Sequence, residues 1–182
     1  MKTNILLALV VSMLCLTQYQ ALASHALAAG ARYHARHSQY VELPYDRGDI
    51  SYILGYEYHE AAAFWQLLVG YAPSIDEGTD GRGLGVDSVV TPQINLFFED
   101  RNWLAGVGVL ASYIILDDKV VADPEREDDW TDIYWQVMLG YQIPLNIYNI
   151  EIMAYYPFEK WNTFRDFEGR DIEFGLLLKR RF

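Results

Sequence analysis

Apolar and polar residues alternate with a period of two along most of this chain. The clearest case sets Ile133, Trp135, Val137, Leu139, Tyr141 and Ile143 against Asp132, Tyr134, Gln136, Gly140 and Gln142. A second stretch opposes Tyr148, Ile150, Ile152, Ala154 and Tyr156 to Asn149, Glu151, Met153 and Tyr155. Successive side chains of a strand point to opposite faces, so this period predicts strands. Eight are expected: Tyr33 to Leu43, Asp49 to Tyr58, Ala62 to Ala72, Leu84 to Phe98, Trp103 to Leu116, Thr131 to Ile143, Leu145 to Tyr156, and Arg170 to Phe182. Most have the nine or more residues of a tilted membrane strand, longer than the ~5–6 usual in soluble sheets.

The joins between these segments alternate in length. His59-Glu60-Ala61, Glu99 to Asn102, and Pro144 are short. Pro73 to Gly83, Asp117 to Trp130, and Pro157 to Gly169 are long and polar, and Pro44 to Gly48 is intermediate. Tight turns at one end and longer loops at the other are the pattern of a membrane barrel with both termini in the periplasm. The expected fold is therefore all-β: an up-and-down antiparallel transmembrane β-barrel of about eight strands.

Period alone leaves the inside undecided, because a soluble periplasmic lipocalin-like lipid-binding barrel would alternate in the same way. Two features favour a membrane. Aromatics gather near strand ends on the apolar faces (Trp65, Tyr71, Phe98, Trp103, Tyr113, Tyr141, Tyr148, Tyr156, Phe174 and Phe182), where interfacial girdles would lie. The polar faces hold several glycines, as a narrow lumen requires.

The N-terminal segment reads as an export signal. Lys2 precedes the apolar run Ile5 to Leu16, and two A-x-A sites follow, ending at Ala23 and Ala28. The run is short for a membrane span, so residues 1–28 are expected to form a cleavable signal peptide, cut after Ala23 or Ala28. Residues 29–182 are then one outer-membrane barrel domain. Removing the signal takes away Cys15, the only cysteine, and with it any disulfide, thiolate metal site or thiol nucleophile. It also lowers Lys plus Arg from 14 to 13 against 25 acids, a net charge of −12. Such a charge argues against nucleic acid as a partner.

The final stretch, Asp171-Ile-Glu-Phe-Gly-Leu-Leu-Leu-Lys-Arg-Arg-Phe182, puts Ile172, Phe174, Leu176, Leu178 and Phe182 on one parity. It resembles the last strand of bacterial outer-membrane barrels, and the plan of the whole mature chain is similar to that of their small eight-stranded members. Arg180 departs from the apolar pattern at a level where a long cation can reach the interface. The resemblance implies that Phe182 is an assembly signal read by the barrel-assembly machinery. It implies outer-membrane lipid and lipopolysaccharide as surroundings, with an extracellular ligand as a further partner.

A lumen of eight strands is filled by side chains, and buried charge must be paired. The inward charged residues are read as Arg36, Glu57, Asp87, Asp132, Glu151, Glu173, Lys179 and Arg181. Glu57 shares a level with Arg36, Lys179 and Arg181, and Glu151 lies mid-barrel. In the long join after strand seven, Phe158, Trp161, Phe164 and Phe167 alternate with charges including Arg165, a candidate recognition loop. Lipid-modifying chemistry would need a nucleophile with a positioned base near the outer leaflet. Ser112 and Asp87 meet that level, but His25, His34, His37 and His59 are all expected elsewhere. The acidic loops around Asp76 to Asp80 and Asp117 to Asp129 match no calcium-binding spacing. No catalytic residue, metal site or cofactor is therefore assigned. The expected role is structural, surface-interacting or adhesive, followed by a narrow ion or small-solute pore and then by a lipid-modifying enzyme.

Overall fold

The computed structural model describes residues 24–34, 45, 48–73, 86–116, 129–161, 167 and 169–182. Ten strands occur: β1 Ser24–Tyr33, β2 Ile50–Glu60, β3 Ala63–Pro73, β4 Val86–Asp100, β5 Trp103–Leu110, β6 Tyr113–Leu116, β7 Asp129–Trp130, β8 Tyr134–Leu145, β9 Tyr148–Phe158 and β10 Glu173–Arg181. They form one antiparallel sheet in the order β3-β2-β1-β10-β9-β8-β5-β4, with β6 and β7 extending two of its strands. A further β3–β4 pairing closes it. β5 with β6, and β7 with β8, each make one staggered barrel strand, so the wall is eight-stranded.

The break between β5 and β6 lies opposite Thr91 and Pro92 of β4. Proline has no N–H to donate to a ladder, so interruption there removes little pairing. The gap is bridged by Thr131, whose N–H donates to the Ser112 carbonyl and whose Oγ1 accepts from the Ser112 N–H at 2.9 Å. Three two-residue hairpins sit together at the turn end of the barrel, and each places its first central residue at positive φ: Ala61 (54°), Arg101 (57°) and Asn146 (55°). Such loops match the right-handed twist of the flanking strands. The third turn falls two residues beyond the expected Pro144, because Asn tolerates the left-handed conformation and Pro cannot.

Larger corrections concern the first strand and β4. β1 runs from Ser24 to Tyr33 and pairs with β10 on one side and β2 on the other. It precedes the expected Tyr33 to Leu43, most of which lies outside the described residues. Ala26, Ala28 and Gly30 carry small inward positions that read, in sequence, as the tail of an export signal. A Cβ at Gly30 would meet the Cα of Leu177 at 2.8 Å, so the alanine-glycine stretch lets β1 approach a filled interior. In β4 a bulge between Val86 and Ser88 breaks the alternation and leaves both Ser88 and Val89 buried.

Polarity settles the inside. Leu27, Leu54, Leu67, Ile94, Leu139, Ile152 and Leu176 point outward and are 49–67% exposed. Exposed aromatics ring this apolar belt at both ends: Tyr33, Tyr52, Tyr71, Trp135 and Phe174 towards the loops, Tyr58, Trp65, Phe98, Trp103 and Tyr141 towards the turns. A lipocalin-like soluble barrel needs the opposite arrangement, because an apolar collar of this extent is unstable in water. The chain is a closed, up-and-down, eight-stranded barrel of the outer-membrane type.

Candidate functional site in the barrel interior

Inward positions alternate between small, amide and charged residues, and the ladders bring two ionic clusters together at different depths. The inner cluster lies towards the turn end. Lys179 of β10 places Nζ 2.6 Å from Glu57 of β2 and 2.5 Å from Glu151 of β9, all three side chains 0–1% exposed. His59 Nε2 lies 2.8 Å from the other Glu57 oxygen. The His59 ring stacks on Phe64 at 4.4 Å, and the lysine sits over that same ring. A buried cation with two carboxylates and an aromatic face has its charge largely compensated.

The outer cluster lies at the loop end. Arg32, the last inward residue of β1, donates from Nε to Glu173 of β10 at 2.5 Å and from Nη1 to Gln136 of β8 at 3.2 Å. Its guanidinium lies 4.3 Å over the Tyr155 ring. His34, just past β1, has Nδ1 3.0 Å from the second Glu173 oxygen and Nε2 2.7 Å from Ser51 Oγ of β2. The Nδ1 contact lies off the line of the ring N–H and is an ion-pair approach rather than an aligned hydrogen bond. Tyr45 stacks on His34 at 3.8 Å and 6°, and its hydroxyl hydrogen-bonds to Thr91, which in turn reaches Ser112 at 2.8 Å. Burial pushes the Tyr45 phenol above its ordinary value, so it remains a neutral donor.

Three amides link the clusters. Gln66 donates to Glu57 at 2.6 Å, Asn95 donates to Gln66 at 3.0 Å, and Gln136 donates to Asn95 at 2.8 Å while accepting from Arg32. This spine crosses the lumen from His59 to Ser51. Beside it, Phe64, Leu68, Phe97, Leu104, Met153 and Leu177 form a fully buried apolar fill. A small cavity, open to solvent on one side, adjoins the outer cluster; Arg32, His34, Tyr45, Ser51, Thr91 and Glu173 line it.

The structure places the sequence-derived residues unequally. Glu57, Glu151, Glu173 and Lys179 are buried inside, while Arg181 sits at the turn-end rim with its guanidinium 2.8 Å from Glu99. Asp87 and Asp132 are exposed, contrary to their expected inward position: Asp87 lies at the β4 bulge and Asp132 in the break between β7 and β8. Arg36 lies outside the described residues. So do Phe164 and Arg165 of the recognition loop, His37, and most of both acidic loops. Phe158 is buried rather than displayed, packed edge-on against Trp161, whereas Trp161 and Phe167 are exposed. Phe182 is exposed, pairs its N–H with the His25 carbonyl, and stacks on the His25 ring.

Sequence reasoning missed Arg32, Ser51 and the role of His34. With the first strand set nine residues too late, His34 fell at the wrong end of the barrel. In the structure it stands at the loop end, where Ser112 also lies but Asp87 does not approach it. Their signal was the spacing Arg32-x-His34 continuing the inward parity of Ala26, Ala28 and Gly30. Among the described residues no three His, Cys, Asp or Glu side chains converge as a metal site would require.

No family model matches the chain, and no curated protein matches it. Among solved structures, the chain is similar to Neisserial surface protein A at 12% identity, covering 87% of this chain and 94% of that one, with a TM-score of 0.47. It is similar to the Yersinia pestis outer membrane protein Ail in a phospholipid nanodisc at 14% identity, with 88% and 99% covered and a TM-score of 0.45. A crystal structure of Ail, the attachment invasion locus protein, matches at 14% identity, with 88% and 97% covered and a TM-score of 0.41.

Proposed function

We propose that this chain is an outer-membrane barrel whose work is done at its loop end, in surface interaction, and that its lumen carries no solute. The observation that carries this reading is the filled interior. The apolar side chains and the amide spine occupy the centre, and the cavity at the loop end does not continue past them. Amides hold a hydrogen-bond chain without carrying net protons along it, so the ionic clusters are not joined into a proton wire. On this reading the loop end faces outward, and Trp161 and Phe167 offer exposed aromatic surface there.

Planar-bilayer recording tests the closed lumen, with silence expected; a steady conductance lost in Glu151→Gln would overturn it. Surface interaction is tested by adhesion of cells displaying the protein to protein-coated and lipopolysaccharide-coated surfaces. The double variant Trp161→Ala, Phe167→Ala is expected to lose several-fold in adhesion while keeping the barrel intact, and unchanged adhesion would remove the aromatic surface from the account.

β1 begins at Ser24, and five of its residues precede the second A-x-A cut. On this reading the signal is removed after Ala23. N-terminal sequencing of the membrane form should start at Ser24; a start at Ala29 would contradict it.

A further inference from the structure

We propose that Ser51, His34 and Glu173 form a serine-hydrolase site for short-chain carboxylic esters entering the loop-end cavity. The proposal is independent of surface interaction and goes beyond it.

The arrangement is that of a nucleophile, a base and a positioning carboxylate. Ser51 Oγ and His34 Nε2 are 2.7 Å apart, within the range for direct proton transfer. Glu173 stands on the other side of the imidazole, 3.0 Å from Nδ1, which favours the tautomer carrying its proton there. Nε2 is then the acceptor, and the Ser51 hydroxyl donates to it. The Nδ1 contact is close but off the line of the ring N–H, as catalytic hydrogen bonds often are before substrate binds. Arg32 fixes Glu173 from behind, and Tyr45 holds the imidazole plane by stacking.

A purely structural plug does not need this order. The inner cluster sets a lysine between two carboxylates with no hydroxyl, and none of its residues lines this cavity. The outer cluster instead puts a serine, a histidine and two further hydroxyls, Tyr45 and Thr91, on the wall of a cavity that opens to solvent.

In the reaction, Ser51 Oγ bonds to the ester carbonyl carbon as His34 Nε2 takes the hydroxyl proton. The oxyanion that forms lies among possible donors lining the same space: the Arg32 guanidinium and the Tyr45 and Thr91 hydroxyls. The carbon–alkoxy bond then breaks, and His34 returns the proton to the departing alcohol. Water attacks the acyl-serine carbon and gives a proton to His34. The carbon–Oγ bond breaks, Ser51 regains its proton and the acid leaves. Substrate size follows from the cavity, which is small and lined by polar groups with Gly70, Leu110 and Pro157. Short acyl groups are therefore the expected substrates, ahead of long acyl chains.

The test uses full-length protein purified from membranes in detergent micelles. A fluorophosphonate probe should modify the wild type, and peptide mass spectrometry should place the adduct on Ser51, a readout that needs no variant. p-Nitrophenyl acetate or butyrate should be hydrolysed and the palmitate ester spared. Ser51→Ala and His34→Gln should each lose about 10³-fold or more in kcat/KM. Glu173→Gln should lower kcat with KM unchanged, as expected of a positioning residue. Ser88→Ala, another buried serine of the barrel wall, should retain wild-type labelling. Folding of each variant is read from faster migration without boiling. An unmodified Ser51, or hydrolysis that persists in folded Ser51→Ala, would overturn the proposal.

Discussion

The two ionic clusters of the lumen are built from the same parts and differ in what surrounds them. Each stacks a histidine on an aromatic ring and lays a cation over one: His59 and Lys179 on Phe64 at the turn end, His34 on Tyr45 and Arg32 over Tyr155 at the loop end. The inner cluster is fully buried, with two carboxylates against one lysine in ion-pair approach, and neither Lys179 Nζ nor either Glu151 oxygen makes an aligned hydrogen bond among the described residues. Around the outer cluster a cavity opens, and hydroxyls replace the second carboxylate. The lesson is that composition alone does not separate a staple from a site. A charge closed off by side chains can only hold the wall together, whereas one beside a cavity can meet a ligand.

Substitution of the two cations should expose that difference most strongly. Lys179→Met leaves Glu57 and Glu151 buried without a cation and should cost about 3–5 kcal/mol of stability, measured by urea unfolding in lipid vesicles. Adding Glu57→Gln and Glu151→Gln should recover most of it. Arg32→Met should cost less, about 1–3 kcal/mol, because water in the cavity can solvate the freed Glu173. Equal costs would break the comparison.

The spine that joins the clusters comes next. A Cβ at Gly108 would collide with the Asn95 amide and lie 2.8 Å from the Ile94 carbonyl oxygen, so side-chain movement alone cannot relieve it. Gly108→Ala should destabilise by about 1–3 kcal/mol in the same titration. The smallest effect belongs to Asp87→Asn, within about 0.5 kcal/mol, because the bulge holds this residue at the surface. A large effect there would return Asp87 to the interior.

Much of the wall was legible in the sequence. Strict alternation marked both faces of β8 and β9, and loop lengths sorted the two ends. What escaped had local physical causes. The alanines of β1 are small because the interior beside them is filled, and smallness is also what an export signal shows before its cut. The bulge at Val86 to Ser88 reverses parity without changing composition. The hydrogen-bond partners of Gln66, Asn95 and Gln136 depend on barrel shear, which brings non-adjacent strands into contact across the lumen. Ser51 meets His34 only once β1 is in its true register. Four of the inward charges were still found, because Glu57, Glu173 and Lys179 sit in regular alternation and Glu151 precedes the point where that of β9 is lost.

The measurement closest to the central claim is a nitroxide scan along β10, from Phe174 to Leu178, in lipid vesicles. Collision with membrane-dissolved oxygen should peak at 174, 176 and 178 and fall at 175 and 177, since Phe174, Leu176 and Leu178 face outward and Leu177 is buried. The reverse order, or a flat profile, would contradict a membrane barrel with a filled, sealed interior.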